Sequence, residues 1–304
     1  MLRFLTLSSA LLLILAIWSA IDPGSYGSAV LAQQSEERGK IIYRENCAAC
    51  HGEKGDGKGP EAQRLKTKPR DFTTGNYKFR STPSGSLPLE DDIFRSISRG
   101  VRTSSMLAQL HLSDGERRAV AEYLKTFSER FKTEKPLKPI SIGTKPPFNA
   151  ELTVLGKAKY QEAGCGACHG PEGKGDGVSS KDLKDDFGTP ILPTNLTLKP
   201  FKSGPDAQDV YRTISTGLNG TPMPSYGNAL TDKERWAIVS YVMSIATRDR
   251  PRGMMGLVGE EIDGMRVDMQ AAMAGTMGGR GMMRRGGGMM DRNMDDMMKN
   301  RMGR

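Results

Sequence analysis

The chain has 304 residues, of which 6% are aromatic, 36 are Gly and 18 are Met, and it carries a net charge of +9. That length suits about two ordinary domains. Its four cysteines form two identical pairs, Cys47/Cys50 and Cys165/Cys168, each followed at once by a histidine. This pattern excludes a disulfide-stapled miniprotein, which scatters its cysteines along a short chain.

At the N-terminus, Arg3 precedes an apolar run from Phe4 to Ile21, and Asp22-Pro23-Gly24 reads as the end of any helix there. Ser28 to Ala32 are small or aliphatic, as a signal peptidase requires, so residues 1–32 read as a signal peptide cut after Ala32. The alternative is an uncleaved anchor, because about 18 apolar residues can span a thinned bilayer. Either reading exports the remainder, to the periplasm.

Beyond that segment the chain repeats itself. Cys47-Ala-Ala-Cys50-His51-Gly52 returns 118 positions later as Cys165-Gly-Ala-Cys168-His169-Gly170. Pro69 to Thr73 matches Pro193 to Thr197, Ile97-Ser-Arg-Gly100 matches Ile214-Ser-Thr-Gly217, and Leu112 to Arg117 matches Leu230 to Arg235. A nearly constant offset over two long stretches marks a tandem duplication.

Each copy reads as three helices and a loop. A leading helix carries Gly39 and Tyr43, or Gly156 and Tyr160, into the cysteines. A Gly- and Lys-rich loop follows. A middle helix then bears Ile93 and Ile97, or Val210 and Ile214, and ends at Gly100 or Gly217. The last helix opens on a capping box, Ser113-x-x-Glu116 or Thr231-x-x-Glu234. Behind it, Val120, Leu124 and Phe127, and likewise Ile238, Val242 and Ile245, make one apolar stripe. No strand pattern of comparable length occurs, so the expected class is all-α. Domain 1 is expected over 33–131, a Pro-rich linker over 132–148, domain 2 over 149–247 and a low-complexity tail over 248–304.

C-x-x-C-H is the signature of c-type haem attachment, in which two thiols add across the porphyrin vinyl groups and the histidine binds iron. Zinc would need four ligands per site, and each site offers one Cys-Cys-His set. For the opposite face of the iron, only Met106, Met223 and Met243 lie within the two copies. Met223 falls 54 residues after His169, in Thr-Pro-Met-Pro, and Met106 falls 55 residues after His51 without flanking prolines. A thioether opposite histidine raises the reduction potential. Met106 is preferred as the first copy's sixth ligand, with His111 as the alternative, and Met243 reads as core.

On these motifs the chain resembles a tandem dihaem class I cytochrome c over about residues 35–246. The resemblance implies two covalently attached haem c groups, held by Cys47, Cys50 and His51 and by Cys165, Cys168 and His169, with Met106 and Met223 as distal iron ligands. It also implies crossed terminal helices in each domain and electron transfer rather than substrate turnover. By analogy with that family, Lys78, Arg80 and Lys202 are candidates to meet the haem propionates.

Residues 33–140 hold 21 basic against 15 acidic residues, whereas residues 141–247 hold 11 of each. A basic first domain suits docking onto redox proteins with an acidic surface, and nucleic acid is an implausible partner for an exported haem protein. The tail has 14 Met, 12 Gly and no aromatic residue, so it reads as disordered, with Cu(I) binding by soft thioethers as a sharper alternative. The leading function is a periplasmic carrier of single electrons, free or as a respiratory-complex subunit, and not an enzyme. A dihaem peroxidase with an open or His-ligated first haem is the alternative.

Overall fold

The computed structural model describes residues 23–249, with side chains from Gln33 onward. The apolar N-terminal run and the Met-rich tail with its expected Cu(I) sites lie outside the described residues.

Helix α1 spans Pro23–Asn46 and continues through Ala32, while the end expected for the apolar run before it lies outside the described residues. Pro23 suits its place at the start. A first-turn N–H has no partner within the helix, so proline loses nothing there and its fixed φ favours the turn. No described helix is long and apolar enough to cross a membrane. The first repeat continues with α2 (Ala48–His51), α3 (Glu90–Arg99), α4 (Asp114–Lys125) and the short α5 (Arg130–Thr133). The second repeat has α6 (Ala150–Glu162), α7 (Cys165–His169), α8 (Ala207–Thr216) and α9 (Asp232–Ile245). A two-residue strand β1 (Leu198–Lys199) pairs in parallel with β2 (Arg248–Asp249), a small addition to a helical architecture.

The leading and last helices of each repeat cross at a glycine. A Cβ placed on Gly39 would run into the Ala119 carbonyl, and one on Gly156 into the Ala237 carbonyl. Absence of a side chain is what lets α1 meet α4, and α6 meet α9, at backbone contact. Around each crossing the apolar stripes close a core. Ile42, Tyr43, Ile93, Ile97, Val120 and Leu124 are buried in the first domain. Tyr160, Tyr211, Ile214, Trp236, Ile238 and Val242 are buried in the second, with Met243 packed against them. Tyr43 reaches 2.7 Å to the Gly52 carbonyl, and Tyr160 reaches 2.7 Å to that of Gly170, fixing each leading helix to the end of its cysteine turn.

Residues beyond α5 run extended along the first domain, where Leu137 N–H donates to Ser86 Oγ at 3.0 Å and Ile140 N–H to the Ser81 carbonyl at 2.8 Å. The two domains meet through α3 and α8. Asp92, Arg95, Ser96 and Arg99 lie at i, i+3, i+4 and i+7 of α3, and Asp209, Arg212, Thr213 and Thr216 hold the same positions of α8. Both aspartates are buried. Asp92 accepts from Arg95, and Asp209 from both Arg212 and, across the boundary, Arg99 at 3.2 Å. A cavity of about 410 Å³ opens between the helices, and Lys78, Arg80, Arg99, Lys202 and Arg212 line it with Asp209.

Both expected capping boxes form. Ser113 and Glu116, and Thr231 and Glu234, exchange side-chain and backbone hydrogen bonds of 2.9–3.3 Å. Bonds from the cap backbone, helped by Arg38 and Lys159, hold both glutamates near about 2, against an ordinary 4.5. A depressed carboxyl pKa stabilises the fold above the unfolded value, and that contribution disappears as pH falls from 4.5 through 2. Acid titration followed by far-ultraviolet circular dichroism should therefore show helix loss in that window. E116Q/E234Q should lose helix more gradually there, and an unchanged titration would refute the assignment.

Candidate cofactor sites

In each repeat a single turn presents Cys, Cys and His. The His51 N–H donates to the Cys47 carbonyl at 2.9 Å, closing α2, and the glycine loop then returns so that the Gly57 N–H meets the His51 carbonyl at 2.9 Å. The second copy repeats the return, with Gly175 donating to His169 at 2.7 Å. None of the four cysteines is in a disulfide. Burial pushes the Cys47 thiol up to about 12, which marks the wall it lines as apolar.

The histidines are oriented by backbone. His51 Nδ1 lies 3.0 Å from the Arg70 carbonyl and His169 Nδ1 lies 3.0 Å from that of Thr194. A carbonyl can only accept, so Nδ1 carries the proton and Nε2 keeps its lone pair for a metal. Burial lowers both imidazole pKa values, keeping the rings neutral as a ligand must be. The acceptors sit in the segments Pro69–Thr73 and Pro193–Thr197. Each is pinned to its glycine loop, Phe72 N–H to the Gly55 carbonyl at 2.7 Å and Leu196 N–H to that of Gly173 at 2.6 Å. Phe72 also stacks on the His51 ring at 4.5 Å. The sequence showed that these segments match, without revealing that their carbonyls set the tautomer.

The two methionine loops share one backbone frame. Gly100 and Gly217 both take φ of +65°, a conformation that favours glycine, as they leave α3 and α8. Val101 N–H donates to the Met106 carbonyl at 2.9 Å, and Leu218 N–H to that of Met223 at 3.1 Å. Ser104 Oγ donates to the Val101 carbonyl and accepts from the Met106 N–H. Thr221 Oγ1 does the same between Leu218 and Met223. Ser104 thus supplies in the first loop the hydroxyl that Thr221 supplies in the second, and the frame forms without flanking prolines.

In the first domain, His51 and Met106 line one cavity of about 320 Å³, together with Cys47, Phe72, Ile97 and Leu124. His111 does not line it. Its ring is exposed, and Nε2 lies 2.9 Å from Asn46 Oδ1 at the end of α1. Two buried donors, Arg70 Nη1 and Tyr77 Oη, have no partner among the described residues. An unsatisfied buried donor costs roughly 1–3 kcal/mol, so a group with carboxylates would satisfy both, although neither residue lines the cavity that His51 and Met106 share. Tyr77 stacks on Phe72 at 5.8 Å and thereby connects to the His51 ring. Arg70 was not among the sequence candidates. Burial, followed by the nearby Arg70 and Lys202, pushes Lys78 down to about 8, and an incoming anion would reverse that. The third candidate, Arg80, donates from its guanidinium to three backbone carbonyls.

A family model described as cytochrome c matches residues 153–246, and one described as cytochrome c oxidase, cbb3-type, subunit III matches residues 34–124. Among solved structures, a chain of the reducing HAO-like protein complex of Kuenenia stuttgartiensis is 46% identical. The match covers 69% of this chain and 96% of that one, with a TM-score of 0.68. No curated protein matches.

Proposed function

The chain belongs to the cytochrome c family and carries two covalently bound haem c groups for electron transfer, and from that premise we propose that it is an exported carrier with His/Met ligation in both domains. Cys47 and Cys50, and Cys165 and Cys168, would hold the two haems by thioethers, with His51 and His169 as proximal ligands and Met106 and Met223 as distal ones. Bound haem iron supplies a one-electron couple whose potential a thioether raises. The protein's part is to fix Nε2 through the Nδ1 hydrogen bonds, to exclude water with the apolar cavity wall, and to present each methionine on its glycine-led loop.

The observation that carries this reading is the shared frame of the two methionine loops. A peroxidase needs an open or displaceable sixth site, and the one feature that favoured it, His111, is bonded to Asn46 outside the cavity. The charge-transfer band between thioether sulfur and ferric iron should therefore have the intensity of two haems in the oxidised protein. H111A should leave that band unchanged, and M106A should halve it. A band of one-haem intensity that M106A leaves unchanged, together with peroxide turnover, would favour the enzyme instead.

The relative of 46% identity belongs to a complex described as HAO-like, which supports a role as an electron-transfer subunit on a larger redox partner. Leu107 and Leu110, exposed beside the Met106 loop, and the excess of basic residues in domain 1 suit such docking. A complex on an acidic partner should weaken as salt rises. Binding that ignores ionic strength would count against it.

A further inference from the structure

We propose that Arg80 of the first domain is a positioning residue for the second domain's distal methionine. The inference rests on the reading of Met223 as that ligand. Arg80 is 1% exposed, and a guanidinium so buried must spend its donors. Nε donates to Pro83 within its own domain at 3.2 Å. Nη2 donates across the boundary to the Thr216 carbonyl at 2.7 Å, and Nη1 to that of Gly217 at 3.5 Å.

Those two carbonyls close α8, where a helix leaves its last acceptors unpaired and favours a cation. They are also the stem of the methionine loop. Gly217 makes the left-handed turn, and the next residue, Leu218, donates to the Met223 carbonyl. A second tie reaches the same stem, from the Gly85 N–H to Asn219 Oδ1 at 3.2 Å. The corresponding stem of the first domain is held differently, with the Arg99 side chain reaching across to Asp209. The Arg80 brace has no counterpart there among the described residues, since Arg99 donates to a side chain and not to loop-stem carbonyls. Domain 1 braces the loop that presents Met223, and displacement of that methionine from iron must work against the brace.

The test uses the full dihaem chain in a Met106→Ala background, where the charge-transfer band reports the second haem alone. Imidazole displaces the methionine and bleaches the band. Loss of a charge-assisted hydrogen bond is expected to lower the midpoint imidazole concentration about tenfold in Arg80→Gln. Arg80→Lys should recover part of the shift, because an ammonium can still reach one carbonyl. In the reciprocal Met223→Ala background, Arg80→Gln should leave the first haem's midpoint unchanged. An unaltered midpoint for the second haem, or an equal shift at both haems, would overturn the proposal. Should Arg80→Gln fail to fold, Arg80→Lys and Asn219→Ala decide it by the same midpoints. A Met223→Ala chain that retained the full two-haem band would instead remove the ligand assignment on which the brace depends.

Discussion

Replacement of Met223 by alanine is expected to lower the second haem's reduction potential, and replacement of Met106 to lower the first haem's by a comparable amount. Thioether sulfur is a soft donor that favours ferrous iron, so its loss leaves water or an open site and stabilises the ferric state. Axial ligation spans roughly 0.8 V across haem proteins, and a single Met-to-water change should account for on the order of 0.1–0.2 V of it. Both loops share the Gly turn, the hydroxyl pin and the carbonyl contact, which is why the two effects should be of similar size. Potentiometric titration of each variant resolves them, because the unsubstituted haem serves as the internal reference. If M106A leaves both midpoints where they were, the first iron takes its sixth ligand elsewhere and the shared frame has no bearing on ligation.

Much of this organisation is legible in the residues, because duplication writes each feature twice. The cysteine turns, the capping boxes and the glycines that end α3 and α8 all depend on local chemistry, and local chemistry has residue signatures. Elements that depend on backbone atoms or on distant partners have none. The Arg70 and Thr194 carbonyls orient the histidines, yet any residue type carries a carbonyl. The missing prolines around Met106 looked like a departure from Thr-Pro-Met-Pro, although the Ser104 hydroxyl does the work of Thr221. Pro23 reads only as the end of the run before it, and that the same proline opens α1 has no signature of its own, since the first turn merely tolerates it. Arg80 is a candidate for the propionates only by analogy with the family, and the sequence holds no sign of its bonds to the other domain. Its contacts lie about 136 positions away in sequence, where no periodicity or motif could point.

The largest structural effect should come from Gly156. A valine there is expected to destabilise the second domain by ~3 kcal/mol or more, because overpacking against backbone cannot be relieved by a rotamer change. The obstacle is the Ala237 carbonyl in the middle of α9, with the Tyr241 Cβ 3.0 Å from the added atom on the next turn. For a domain of this size, ~3 kcal/mol corresponds to a fall of roughly 12–24 °C in melting temperature. Widening the crossing would also move α6, and with it Tyr160, whose hydroxyl ties the helix to the Gly170 carbonyl behind His169. Loss of packing should thus appear as a disturbed second haem, seen as a weakened contribution of that haem to the charge-transfer band well below the melting point. G39V should do the same to the first domain, where Gly39 meets the Ala119 carbonyl and Tyr43 ties α1 to Gly52. Differential scanning calorimetry of both variants separates the two transitions. A G156V protein that melts with the parent chain would mean the helices can slide apart at no cost, and that glycine at the crossing is not what holds them at backbone contact.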